Sequence, residues 1–229
     1  MLRGLLTMRK PRLILSEADR SRIAQSVAQA ERSTSGEIIP VILPSSDSYN
    51  HATWICGTIG GFIFTGLAVF GHEWTLHQSW EAQGFLPSLV WVSLFQLLGL
   101  GVGFMVSYLP GLRRFMVGRE QLRAAVSLKT QSLFLDLGLS QTRDRTGVLI
   151  VVSLFERRVE ILADQGIHSK VAPGFWDDEV STIVRSVHEG QFVSGLCQVI
   201  EEIGMKLAVS FPRREDDINE LPNAPRGDL

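Results

Sequence analysis

Two long stretches of the chain contain no charged side chain. No Asp, Glu, Lys or Arg lies between Asp47 and Glu73, or between Glu81 and Arg113. About 20 apolar residues of helix cross the hydrocarbon core of a bilayer. A buried core helix is the alternative, but it is normally shorter and shows a polar face. The pattern therefore predicts a transmembrane hairpin over residues 54–112, with spans at about 54–71 and 85–109.

The residues that flank the two spans predict their orientation. Trp54, Trp74 and Tyr108 stand near the span ends, where amphipathic rings settle at the headgroup level. The connection at residues 71–84 has no Lys or Arg, whereas basic residues follow the second span: Arg113, Arg114, Arg119, Arg123 and Lys129. The positive-inside rule then predicts a multi-pass protein of the inner (plasma) membrane with both termini cytoplasmic. The same basic cluster predicts contact with anionic lipid headgroups near Arg113, Arg114 and Arg119.

The first flank of the hairpin predicts one helix and one strand. Ser16 and Asp19 have the spacing of a capping box, and apolar positions on one face follow over residues 17–33. The continuous apolar run Glu37–Leu43 predicts a buried strand. Pro40 lacks a backbone donor, so the strand should have an edge position or a bulge there.

The second flank predicts more elements than the first. A helix should run over residues 113–136, followed by antiparallel strands at 148–154 and 159–163 and helices at 177–189 and 192–209. The last residues, 212–229, are polar and contain proline, and are expected to be irregular or disordered.

Neither flank can bury a core alone, because one helix and one strand are too few. The fold class predicted is therefore α/β: a mixed-sheet α/β/α sandwich built from both flanks and interrupted by the transmembrane hairpin. In domain terms, an N-terminal tail (1–15) precedes the first part of the domain (16–53). The hairpin (54–112), the second part (113–210) and a polar C-terminal tail (211–229) follow.

Composition narrows the classes of function. The formal net charge of −2 over 229 residues argues against a nucleic-acid-binding protein, which needs a basic face. No ionisable residue lies inside either span, which argues against a channel or a proton path. The pairs Gly57/Gly61 and Gly99/Gly103 have the GxxxG spacing, which predicts packing of the two spans against each other, with homodimerisation as the alternative.

Several segments together resemble the TPM domain family of bacterial and thylakoid-associated modules. They are residues 30–38 (AERSTSGEI), 146–154 (TGVLIVVSL), 156–161 (ERRVEI), 164–167 (DQGI), 188–192 (HEGQF), 195–196 (GL) and 219–222 (NELP). The resemblance extends over about residues 16–45 and 115–210. It implies a compact α/β/α sandwich tied to a membrane. For some members it implies acid phosphatase activity, a part in photosystem repair or binding of divalent cations.

This chain departs from the commoner family arrangement, in which a signal peptide precedes an extracytoplasmic domain. Here the hairpin is inserted after the first strand, which would place the domain in the calcium-poor cytoplasm and weakens the case for a calcium role.

Three carboxylates are the candidate metal ligands. Asp164 follows the third predicted strand, and Asp177 and Asp178 begin the next long helix. Together they could hold Mg²⁺ or Ca²⁺ through oxygen ligands. The alternative is that Asp177 and Asp178 favour a helix N-terminus and Asp164 shapes a turn. Glu37 is either a further ligand or simply exposed, and Glu156 is expected on an ion-paired hairpin surface. No catalytic residue is assigned.

Two functions follow from these observations. The favoured one is a membrane-anchored cytoplasmic binding or scaffold domain of a bacterium that aids assembly or turnover of membrane proteins, with a membrane-protein partner or a second copy of the chain. The alternative is a divalent-metal-dependent enzyme resembling acid phosphatases, which would need a tight carboxylate cluster beside a nucleophile or an activated water.

Overall fold

The computed structural model describes residues 15–76, 85–172, 174–214, 216 and 220–227. The chain divides into two compact units. We call residues Met1–Asp47 with Arg123–Leu229 the sheet unit, and Ser48–Leu122 the hairpin unit. The predicted N-terminal tail lies outside the described residues except for Leu15, which is buried in the core of the sheet unit.

Helices and strands alternate along the sheet unit. Its helices are α1 (Glu17–Glu31), α5 (Arg119–Asp136, which begins in the hairpin unit), α6 (Gln165–His168), α7 (Asp177–His188) and α8 (Phe192–Ser210). Its strands are β1 (Glu37–Leu43), β2 (Gly147–Ser153), β3 (Arg158–Ala163) and the two-residue β4 (Arg226–Gly227), and a 3₁₀ turn covers Leu139–Gln141. The hairpin unit contains α2 (Asn50–Leu76), α3 (Phe85–Ser107) and α4 (Pro110–Val117).

The sheet joins the two flanks of the hairpin, as predicted. Its strand order is β3-β2-β1-β4. Strand β1, from the first flank, pairs in parallel with β2 from Glu37 opposite Gly147 to Leu43 opposite Ser153. Strands β2 and β3 pair antiparallel, also as predicted. The mixed α/β sheet is therefore confirmed.

Both faces of the central strands are covered. Every residue of β1 and β2 is buried, which is typical of strands with helices on each side. Alternate residues of β2 point to opposite cores: Val148, Ile150 and Val152 lie in the core with α1, α7 and α8, whereas Leu149 and Val151 pack with α5. This arrangement is the expected α/β/α sandwich.

Pro40 has no backbone N–H, and its nitrogen lies where the sheet makes no hydrogen bond. The N–H of Ile38 donates to the Glu31 carboxylate at 3.0 Å rather than to a strand. Because backbone donors alternate along a strand, the Pro40 nitrogen faces the same side, away from β2. Strand β4 pairs only with Val41 and Ile42, so no ladder bond is lost at Pro40. Strand β1 itself lies between β2 and β4, so the expected edge position holds only locally, where β1 at Pro40 has no partner among the described residues on the side of β4.

Two sequence expectations need correction. The predicted helix over residues 113–136 is broken at Gly118, where φ is +78°, a conformation that glycine adopts readily. The C-terminal tail is not wholly irregular: β4 pairs with β1, Pro225 is buried, and Leu221 packs against the α5 side of the core. These contacts join residues far apart in sequence, which a local pattern does not reveal.

In the hairpin unit, glycines bring α2 and α3 into backbone contact. A Cβ added at Gly60 would lie 3.0 Å from the Cα of Gly103 and closer still to the carbonyl oxygen of Gly99. One at Gly103 would lie 2.9 Å from the Cα of Gly57. Only residues without side chains allow this approach. The predicted packing of the two helices against each other is confirmed, but Gly60 makes the backbone contact where Gly61 was predicted, since Gly61 faces the side chain of Leu100. Homodimerisation stays a prediction.

Candidate functional site

Asp164 lies where the sequence places it, directly after β3. Its Oδ1 accepts the N–H of Gln165 at 2.7 Å and caps the short helix α6. The same oxygen lies 3.8 Å from Nη1 of Arg145, and the side chain is only 7% exposed. Its Oδ2 has no hydrogen-bond partner among the described residues. The carboxylate is therefore a buried cap beside a cation, with one oxygen not engaged.

Asp177 and Asp178 occupy the first turn of α7 and are exposed. Carboxylates there interact favourably with the partial positive charge of the helix N-terminus. The next residue, Glu179, is buried, and its Oε1 pairs with Nζ of Lys206 on α8 at 2.7 Å. The ammonium of Lys206 also lies 4.7 Å from the centre of the Phe175 ring. This ion pair joins α7 to α8.

The described residues contain no group of three or more His, Cys, Asp or Glu side chains that could hold a metal ion. Asp164, Asp177 and Asp178 are accordingly not gathered into one cluster. Asp177 and Asp178 lie at a helix start, which is the alternative that the sequence left open for them, whereas Asp164 caps the short helix α6 where a turn was the alternative. The Mg²⁺ or Ca²⁺ site gains no support from the geometry and stays a prediction.

A second polar cluster lies at the carboxyl ends of β1 and β2, the edge at which sites of α/β sheets are usually found. Glu156 is buried there rather than on an ion-paired surface, which corrects the expectation for it. Its carboxylate accepts the N–H of Ser46 at 2.9 Å and the hydroxyls of Ser45 and Ser153. The hydroxyls of Ser46 and Ser153 are 2.8 Å apart. These bonds hold the end of β1 against the turn after β2.

Glu37 is neither exposed nor, in this geometry, part of a metal cluster. It is buried at the start of β1, and its Oε1 accepts the N–H of Glu220 at 3.1 Å. Asn223 donates to the Glu31 carboxylate at 2.7 Å, so these two hydrogen bonds attach the tail to the first flank in addition to the pairing of β4 with β1. The exposed-residue reading of Glu37 was wrong, because its partner lies 183 positions away in the sequence.

One cleft opens beside the tail, with a volume of about 450 Å³. Its lining is mostly polar and combines the end of α5 with the tail: Leu135, Asp136, Leu137, Gly138, Gln141, Thr142, Glu220 and Leu221. Next to it, the N–H of Arg143 donates to Glu220 at 3.1 Å and its guanidinium pairs with Asp216 at 2.8 Å. Their hydrogen bond holds the pKa of Asp216 below and the pKa of Arg143 above the usual range.

Sequence reasoning missed this cleft because its walls come from residues 135–142 and 220–221, and the tail carried no strand signal. Carboxylate, amide and hydroxyl groups could bind a small polar or cationic ligand. A nucleophile with a base positioned beside it is not found among these lining residues.

The comparisons with known proteins bear on the family and the fold. The sequence model of the TPM domain family matches residues 120–206. The structure is similar to the NMR structure of the BA42 protein from the psychrophilic bacterium Bizionia argentinensis. The TM-score is 0.56 and the identity 22%, over 95% of this chain and 98% of that chain. At that identity the likeness shows the fold alone. No curated protein matches this sequence significantly.

Proposed function

Because the sequence model of the TPM domain family matches residues 120–206, we propose a function that combines a domain of this kind with a membrane anchor. The protein is a membrane-anchored binding domain that presents its sheet unit to the cytoplasm of a bacterium. There it binds other membrane proteins and aids their assembly or turnover. The hairpin unit keeps the domain at the membrane surface.

The surface of the hairpin unit carries this proposal. Helices α2 and α3 each contain a stretch long and apolar enough to cross a membrane, Asn50–His72 and Leu89–Ser107. Their large side chains point outward: Phe62 is 73% exposed and Met105 77% exposed. A core helix of a soluble protein would bury these side chains. Exposed apolar area of this size favours lipid as the surrounding medium.

The distribution of basic residues supports the proposed orientation of the chain in the membrane. Arg113, Arg114 and Arg119 follow the second span closely, whereas the connection between the spans has no basic residue. Basic residues are retained on the cytoplasmic side, where they meet anionic headgroups. Both ends of the chain then lie in the cytoplasm, and the even number of spans lets the two flanks form one sheet.

Reporter fusions test the topology. A reporter inserted after Gln78, which lies outside the described residues, should report the external side, and one at the C-terminus the cytoplasmic side. The matched control is the C-terminal fusion of a variant without residues 85–109, which should switch sides because one span remains. Equal signals from the two fusions of the intact chain contradict the hairpin.

Site-specific crosslinking tests the binding role. A photo-reactive amino acid at Met205 or Val209, both exposed on α8, should form adducts with other membrane proteins in intact cells. The same residue at Ile203, which is fully buried on the same helix, is the matched control and should form none. Adducts of twice the chain's own mass would instead support a homodimer, and an absence of protein adducts from several exposed positions would count against a binding domain.

The metal-dependent phosphatase stays the alternative. We expect purified protein to show no hydrolysis of a generic phosphomonoester with Mg²⁺ or Ca²⁺ above the level of an Asp164→Asn variant. Metal-dependent hydrolysis that Asp164→Asn removes, with an unchanged circular dichroism spectrum, would overturn the non-enzymatic proposal.

A further inference from the structure

Helix α4 is a separate eight-residue helix between α3 and α5. It begins after Leu109, whose backbone is extended, and Pro110 starts the first turn. Gly118 ends it with φ +78°, so α4 does not continue into α5. A helix delimited at both ends in this way can take a direction of its own.

One side of α4 is fastened to the hairpin unit. Val117 is buried, and the sulfur of Met116 lies 3.3 Å from that of Cys56 on α2. The guanidinium of Arg113 donates to the carbonyl oxygen of Ser48, two residues before α2 begins. Helix α4 therefore lies at the end of the hairpin at which the chain enters α2 and leaves α3.

The other side of α4 is apolar and open. Phe115 is 83% exposed, and Tyr108, just before the helix, is 70% exposed. Two arginines, Arg113 and Arg114, are half-buried in the same helix, and Arg119 beyond Gly118 is exposed. Aromatic rings combined with basic side chains on a short helix are typical of segments that lie in the membrane interface.

From this placement we infer that α4 is an interfacial helix that lies in the headgroup layer of an anionic membrane, with the ring of Phe115 inserted among the lipids. The inference rests on the proposed membrane hairpin and adds the surface that meets the lipid. The occupant is an anionic lipid surface because the neighbouring side chains are cationic and the helix lies at a span end. Arginine stems can pack on apolar surface while the guanidinium groups stay at the phosphates.

Electron paramagnetic resonance can measure the depth of Phe115. The full-length protein, with Cys56→Ser and Cys197→Ser, is reconstituted into vesicles of equimolar phosphatidylcholine and phosphatidylglycerol. A nitroxide is attached at one of three cysteines: Phe115→Cys, Leu97→Cys in the span, or Val209→Cys on α8. Leu97 and Val209 are 64% and 85% exposed, so each label is tolerated and the three differ in environment rather than in burial.

The expected result is a graded ratio of oxygen to water-soluble nickel-chelate accessibility. It should be highest at 97, intermediate at 115 and lowest at 209. In vesicles of phosphatidylcholine alone the label at 115 should shift toward the value at 209, because the basic side chains lose their anionic partners. A label at 115 as accessible to nickel chelate as that at 209 in both vesicles overturns the inference. A water-accessible label at 97 overturns the membrane hairpin itself, so the two failures are distinguishable.

Discussion

The two units use the same kinds of apolar side chain in opposite ways. In the sheet unit, Leu149 and Ile150 are fully buried between strands and helices. In the hairpin unit, Phe62 and Met105 are more than 70% exposed. The sheet unit is held by side chains that interdigitate on both faces of a sheet, whereas α2 and α3 meet through the backbones of glycines. The hydrophobic effect in water explains the first arrangement.

The second arrangement agrees with the lipid surroundings that we propose. Where helices are surrounded by lipid, apolar side chains gain little by leaving the solvent, and close packing of small residues drives helix contact. The comparison teaches that apolar composition alone does not indicate a core. The direction in which the side chains point is the observation from which we propose lipid as the medium around the hairpin unit.

Replacing one leucine in each unit by alanine should give the largest difference in stability between the two units. Leu149→Ala removes a fully buried side chain and should cost about 2–5 kcal/mol of unfolding free energy, through lost burial and the cavity left behind. Leu97→Ala removes a side chain that is 64% exposed and should cost less than about 0.5 kcal/mol. Chemical unfolding in detergent, followed by circular dichroism, measures both. Equal costs would mean that the hairpin unit buries Leu97 against protein.

A substitution at the glycine contact should have a smaller destabilising effect, and here a side-chain atom is added rather than removed. Gly60→Ala adds a Cβ too close to the backbone of α3 and should destabilise the hairpin unit by about 1–3 kcal/mol. Helix propensity alone would stabilise it by about 1 kcal/mol. Gly66→Ala on the same helix is the control, because its Cβ would meet nothing within 4 Å and only propensity should act. Thermal unfolding in detergent compares the two, and a stabilised Gly60→Ala would contradict close packing of α2 on α3.

Much of the fold could be predicted because its signals are local. The continuous apolar runs of β1 and β2 marked buried strands, and the tight connection at residues 154–158 marked an antiparallel pair. The capping box at Ser16 and Asp19 located the start of α1. The shared sheet followed from the observation that neither flank had enough elements to form a core.

The rest depends on contacts between distant residues. Glu37 and Glu156 are polar residues beside turns, and nothing in their neighbourhood reveals that the tail and the serines after β1 bury them. Strand β4 has two residues and no apolar run. Gly118 did carry a signal, because a glycine within a helical pattern lowers the expectation that the helix continues. Among the candidate metal ligands, Asp164 lies directly after β3, as predicted. Whether three carboxylates lie close together depends on the tertiary structure, which a local sequence pattern does not reveal.

Lowering the pH should change the stability of the two units differently, and this effect should be smaller than those of the leucine and glycine substitutions. The hydroxyl and the N–H of Ser16 both donate to Asp19 and lower the pKa of its carboxyl from 3.8. A carboxyl whose pKa is lower in the folded state adds stability above its unfolded pKa, and this stability is lost as the pH falls below about 4. The sheet unit should therefore lose stability in acid, whereas the uncharged spans of the hairpin unit should not. The free energy of unfolding, measured between pH 2 and pH 6 in steps of about one pH unit, gives the slope of stability against pH. Both Asp19→Asn and Ser16→Ala should flatten it, and a slope unchanged in both variants would show that this cap does not contribute.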